Sequence, residues 1–282
     1  MSKIKSYILI MRPINFVITF LSIFIAGIIC NIGELELLNI IFASIAGAFV
    51  GSAGNIINDV FDIEIDKINR PERPLPSKKI DKKEAMIIFY LLNILALILS
   101  SQINLMSFVI VVVSEICIFF YSYSIKKIPL LGNFTVSFFT GLAFVFGGTA
   151  VNNFANSIIP SVFAFLVNFI REIVKDIQDI EGDTKQNIIT FPAKYGIALS
   201  VKLINYLTII LILTTIMPIV YGVYRIEYYY AIIIVDSIFI YFLIKISSDY
   251  SLKNLKIMSG LLKINMVFGL TAIYLGNKGF SL

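Results

Sequence analysis

The sequence predicts an all-α, polytopic membrane protein: nine transmembrane helices in a bundle, forming two parallel four-helix halves with one span added. Three observations carry this. The 282 residues are 58% hydrophobic and only 15% charged, with a mean hydropathy of +0.90, outside the range of soluble domains. Apolar runs long enough to cross a hydrocarbon core of ~30 Å recur along the whole chain. Three aspartates, Asp59, Asp62 and Asp66, follow the second run, and the same spacing returns after the sixth as Asp176, Asp179 and Asp183.

The spans fall at roughly 14–31, 38–58, 85–101, 104–122, 131–151, 157–175, 197–219, 228–246 and 257–276. The first has a basic start (Lys3, Lys5, Arg12) and no small-residue cleavage site, so it reads as a retained span and not a signal peptide. Only Ser100–Asn104 separates the third from the fourth, which predicts a tight helical hairpin. Lysine and arginine set the topology. With the N-terminus cytoplasmic, segments 1–13, 59–84, 123–130, 171–196 and 245–256, with their flanks, hold all but two of the 23 basic residues. Arg225 and Lys278 remain outside, as does the C-terminus. Both acidic clusters then lie on the cytoplasmic membrane face. Because they follow spans two and six, the chain reads as one membrane-embedded domain of two pseudo-repeats, about 1–130 and 131–256, with 257–276 extra. An axis near the membrane normal would set the clusters facing each other across a central cavity.

Composition also excludes. The net charge of +5 is spread over short loops and is no nucleic-acid signal; the absence of histidine removes imidazole acid–base chemistry and most transition-metal sites. Cys30 and Cys117 both lie in apolar runs and read as small packing residues, with no disulfide or zinc framework. No obligate protein partner is implied.

The acids carry the chemistry. On a continuous helix, positions 0, 3 and 7 fall within about 60° of one another. Asp59, Asp62 and Asp66 would then crowd a helix C-terminus, where the macrodipole disfavours negative charge. A divalent cation is the natural compensation. Asn55 and Asn58 add neutral oxygens one and two turns before Asp62. Mg²⁺ prefers carboxylates together with water and phosphate oxygens to an all-protein cage, so paired clusters suit a phosphorylated substrate. Lys67, Arg70 and Arg73 would offset the remaining phosphate charge, with a plain anchoring role equally open to Arg70 and Arg73, whereas Lys78, Lys79, Lys82 and Lys83 read as membrane anchors. In the second cluster Arg171, Lys175 and Asp179 share a helix face, Asn168 either extends the polar stripe into the bilayer or bonds a neighbouring helix, and Gly182 is expected to end the helix. Arg12 and Asn15, around Pro13, would face the same pocket mouth. Lys126 and Lys127 follow Tyr121-Ser122-Tyr123, and either lysine is a candidate phosphate contact or a loop anchor. Glu115 and Asp236 are lone acids inside spans, each expected to be paired or to face the cavity. Among the many Phe and Tyr residues, a few would line an isoprenoid channel and stabilise a carbocation.

These motifs resemble those of the UbiA superfamily of intramembrane prenyltransferases: Asn58-Asp59-x-x-Asp62-x-x-x-Asp66, then Arg70-Pro71 and Arg73-Pro74, then Asp176-x-x-Asp179-x-x-x-Asp183. Arg12-Pro13 and Tyr123-x-x-x-Lys127 fit as well, and the resemblance covers essentially the whole chain. It implies a nine-helix bundle, a Mg²⁺-dependent site for an allylic diphosphate, and transfer of the isoprenoid to an acceptor. Within the superfamily the short, Ile-, Lys- and Asn-rich chain is most similar to the archaeal branch that forms the second ether of membrane lipids. There the donor would be geranylgeranyl diphosphate, and the acceptor the glycerol 2-hydroxyl of geranylgeranylglyceryl phosphate, both drawn from membrane lipid. The six aspartates would hold Mg²⁺; Arg70, Lys127 and Lys175 would neutralise diphosphate oxygens; Arg12, Arg73 or Arg171 would take the acceptor phosphate; Asp66 or Asp183 would take the proton. Loops 59–84 and 171–196 would close over the site. The rival within the class is transfer to an aromatic acceptor such as 4-hydroxybenzoate. The rival outside it is an ion or anion carrier, whose key charges belong near the bilayer midplane and not at one boundary.

Overall fold

The computed structural model describes residues 3–185 and 189–277, without the side chains of Asn69 and of 181–185. It is helical throughout the described residues: α1 (Lys3–Ile10), α2 (Pro13–Cys30), α3 (Leu37–Phe61), α4 (Ile63–Asn69), α5 (Lys82–Ser101), α6 (Leu105–Tyr123), α7 (Leu131–Ala150), α8 (Ile158–Lys185), α9 (Phe191–Tyr195), α10 (Ile197–Val220), α11 (Ile226–Ser248) and α12 (Leu252–Gly276). Among these residues nine helices are long and apolar enough to cross a membrane, in the nine places expected from the sequence. The helix breaks are chemically marked. Pro13 opens α2. Asp81 and Glu84 form a reciprocal capping box on α5. Asn104 closes the α5–α6 hairpin by accepting from the Ser107 backbone at 2.8 Å.

The chain forms two compact units. One comprises the chain up to Lys126 together with Ala143–Ser157; the other comprises Lys127–Leu142 and the chain from Ile158 onward. In the first unit α3 is central, packed on α2, α5 and α6. Of its apolar window 56% is buried, against 28%, 28% and 22% for those three neighbours. Small residues permit this. A Cβ on Gly54 would meet the Ile118 side chain of α6 at 2.8 Å, and one on Gly147 would meet the backbone nitrogen of Gly27 at 2.8 Å. Close approach of small residues is how helices pack where no water drives them together. In the second unit α8 is the central element, packed on α9, α10 and α12, and its span is 50% buried against 28% for α10, α11 and α12. Each acidic motif therefore sits at the end of the most buried helix of its unit.

Several expectations change. Gly182 does not end α8, which runs on to Lys185; helix ends follow tertiary support as well as glycine. Cys117 lies on the exposed side of α6, while Cys30 is buried. The expected pairing of Asp236 holds, its carboxylate accepting from the Thr215 hydroxyl at 3.0 Å, whereas Glu115 Oε1 has no hydrogen-bond partner among the described residues.

Candidate active site

In the first unit the acidic run is not one continuous helix. The backbone turns at Asp62, between α3 and α4. That turn separates the three carboxylates into two environments. Asp59 and Asp66 share a cation: Arg73 Nη1 donates to Asp59 Oδ1 at 3.1 Å and to Asp66 Oδ2 at 2.6 Å. Arg12 Nη2 also reaches Asp59 Oδ1, at 2.5 Å. Asp62 points elsewhere, to Lys126 Nζ at 2.6 Å and Asn58 Nδ2 at 2.9 Å, and Lys126 also donates to Asn58 Oδ1. Asp59 and Asp66 are 3% and 5% exposed. Carboxylates that buried require paired cations or metal.

Each cation is placed by its own segment. Arg12 caps α2 with φ 52°, ψ 74°, a left-handed conformation uncommon for a residue with a Cβ and tolerated mostly where surroundings impose it. Helix α1 before it is tethered where Tyr7 donates to Glu84 at 2.9 Å. Arg73 sits in the loop expected to swing over the site. Leu75 and Ile80 anchor that loop, buried in a cluster with Ile56, Val60 and Phe89. Lys126 projects from a single 3-10 turn, Ile125–Lys127.

In the second unit the acids keep different company. Asp176 accepts from Asn133 Nδ2 at 2.8 Å. Ser137, one turn along α7, donates to the Asn133 carbonyl at 2.6 Å and accepts from buried Asn168 at 3.3 Å. Asn168, Ser137, Asn133 and Asp176 thus form one polar ladder between α7 and α8. Glu172 collects the cations: Arg171 at 3.1 Å and Lys175 at 2.8 Å. Next to Asn133, Phe134 stands edge-on to Phe165 and Phe169, with ring centroids at 5.3 and 6.3 Å.

Of the residues expected from sequence, Asp59, Asp62, Asp66, Asn58, Arg12 and Arg73 are brought together in the first unit, and Asp176 and Asn168 join one ladder in the second. Arg171 and Lys175 meet Glu172. Lys67 pairs with Glu64 at the surface, at 2.6 Å. Arg70, Asn15, Lys127 and Asp179 are exposed, and Asn55 is half-buried. Tyr123 is exposed and packs its ring edge on Phe61. The side chain of Asp183 lies outside the described residues. The residues alone left Lys126 and Lys127 open and the resemblance favoured Lys127; the 3-10 turn instead aims Lys126 at Asp62 and leaves Lys127 exposed. Sequence reasoning gave no role to Glu172, which the i, i+3 spacing to Lys175 signals, nor to Ser137, one turn beyond Asn133.

Among the described residues no three carboxylates or thiols converge as a ready-made metal cage. The donor set is nonetheless hard oxygen with no imidazole, which suits Mg²⁺ shared with phosphate oxygens.

Comparison with known proteins gives one consistent picture. Residues 18–267 match the model of the UbiA prenyltransferase family. A relative from Methanosphaera stadtmanae named digeranylgeranylglyceryl phosphate synthase is 36% identical over 270 residues, covering 96% of this chain and 98% of that protein. One of the same name from Methanocaldococcus jannaschii is 35% identical over 98% of this chain and 97% of its own. A solved structure of a digeranylgeranylglyceryl phosphate synthase superposes with a TM-score of 0.87 at 35% identity, covering 98% of this chain and 99% of that one. The fold is also shared with a UbiA homolog from Archaeoglobus fulgidus bound to GPP and Mg²⁺, TM-score 0.71 at 19% identity over 95% and 99% of the two chains.

Proposed function

We propose, from the premise that this chain belongs to the UbiA prenyltransferase family and is a multi-pass membrane prenyltransferase, that it moves a geranylgeranyl group from geranylgeranyl diphosphate to the glycerol 2-hydroxyl of geranylgeranylglyceryl phosphate. The observation that carries the choice of acceptor is the near-full-length identity to enzymes named for the product of that transfer.

Asp59, Asp62, Asp66, Asp176, Asp179 and Asp183 are the carboxylates that hold Mg²⁺. Bound there, the metal supplies Lewis-acid stabilisation of the departing diphosphate. Arg12, Arg73 and Lys126 lie among the first of these acids and supply positive charge for phosphate oxygens. Arg70, Lys127, Arg171 and Lys175 are further candidates for the phosphates of donor and acceptor. As the C1–O bond to diphosphate breaks, the glycerol oxygen bonds to C1 and its proton passes to a carboxylate, Asp66 or Asp183. Fixed charges aimed at the leaving group act before the bond breaks, so they need no reorganisation. Phe134, Phe165 and Phe169 present ring faces and edges suited to an allylic cation. The chain works as one domain of two parallel repeats, about 1–130 and 131–256, plus a last span. The N-terminus and the acidic motifs are cytoplasmic and the C-terminus is outside, as its lysines and arginines dictate.

The test is direct. Purified protein with Mg²⁺ is given labelled geranylgeranyl diphosphate and a panel containing geranylgeranylglyceryl phosphate and 4-hydroxybenzoate. The mass of a diether phosphate is the expected product. A prenylated aromatic would move the chain to another acceptor class, and no product with any acceptor would refute the reading.

A further inference from the structure

The carboxylates of the first cluster already have partners. Asp59 is met by Arg12 and Arg73, Asp66 by Arg73, and Asp62 by Lys126. Three negative and three positive groups balance in a setting where Asp59 and Asp66 are almost fully buried. The cations are held there from three separate directions, by the left-handed cap of α2, by the loop pinned through Leu75 and Ile80, and by the 3-10 turn after α6.

A divalent ion entering this cluster alone would add two positive charges beside three cations, at a screening far below that of water. It would also strip the guanidiniums of their partners. An ion arriving with a diphosphate meets a different situation. The phosphate oxygens offer Arg12, Arg73 and Lys126 new acceptors of matching geometry as the carboxylates turn to metal.

We propose that Arg12, Arg73 and Lys126 are resident counter-ions that couple metal uptake to diphosphate. The first cluster takes a divalent ion strongly only together with the diphosphate, and the three cations pass from carboxylate to phosphate oxygens as it does so. This rests on the reading of the site as a diphosphate site.

The experiment is a Mn²⁺ titration of the purified full-length protein, followed by the loss of the free-ion EPR signal. It is run with and without an unreactive thiolo-analogue of geranylgeranyl diphosphate. The component lost in Asp59→Asn reports the first cluster. In the wild type that component should tighten about tenfold or more when the analogue is present, and analogue affinity should rise with Mn²⁺ by the same factor. Arg73→Gln and Lys126→Met should each strengthen Mn²⁺ binding without analogue and shrink the coupling. Equal Mn²⁺ affinity with and without analogue in the wild type overturns the proposal while leaving the diphosphate site standing. So does weaker analogue-free Mn²⁺ binding in both variants. Failure of the analogue to bind under any condition overturns the site and the coupling together.

Discussion

The two acidic motifs share a spacing and differ in their company. Asp59, Asp62 and Asp66 are neutralised by Arg12, Arg73 and Lys126, which come from outside the two helices that carry the acids and, for Arg12 and Lys126, from far along the chain. On α8, Arg171 and Lys175 both meet Glu172, and Asp176 accepts from the Asn133 side-chain amide. A motif repeated along a chain copies the position of its charges but not the partners around them. In the first unit tertiary structure brings cations to all three acids; in the second, a glutamate on the same helix holds Arg171 and Lys175.

The contrast can be broken at several strengths. Asp59→Ala and Asp176→Ala should each lower prenyl transfer by about 10²–10³-fold, the scale of losing a leading electrostatic contact; product formation measures this, and near-wild-type turnover in either would remove that acid from the site. Stability should separate a charged contact from a neutral one. Asp59→Ala leaves Arg12 and Arg73 short of a partner and should cost about 3 kcal/mol, while Asn133→Ala forfeits one neutral hydrogen bond to Asp176 and should cost about 1 kcal/mol. Denaturation in micelles reads the difference, and equal losses would show that the two contacts contribute alike. Asn133→Ala, which unhooks Asp176 from the polar ladder, should raise the Mg²⁺ needed for half-maximal transfer roughly tenfold. Glu172→Gln frees Arg171 and Lys175 and makes the second motif more like the first; KM for the prenyl diphosphate should fall about threefold, and a rise would mean that Glu172 itself serves the substrate. Lys67→Met, at an exposed i, i+3 pair, should change stability by less than ~0.5 kcal/mol.

Much of this was legible in the sequence, and the exceptions have physical causes. Apolar length and charge placement are properties of the chain alone, so the nine spans and the two acidic motifs could be read directly. The turn at Asp62 could not, because it divides acids that a uniform helix would align, and Asp62 meets Lys126 from a distant turn. Lys126 and Lys127 are chemically equivalent until a 3-10 turn orients them. Gly182 carries a helix-stop signal that α8 passes through. Glu172 reads as one more charge in a charged stretch; its i, i+3 spacing signals Lys175, and its contacts add that it holds Arg171 as well.

One feature of α3 has a consequence for where a lipid substrate sits. Its 25 residues rise about 37 Å at ~1.5 Å per residue, longer than the ~30 Å hydrocarbon layer. The surplus amounts to little more than one helical turn. With α3 centred in that layer, Asp59, two residues from its end, lies at the boundary between hydrocarbon and headgroups, the depth at which a prenylated phosphate dissolved in the leaflet carries its charge. The prenylated phosphates proposed as substrates would then arrive by sliding sideways, tails kept in oil and phosphates kept out of it.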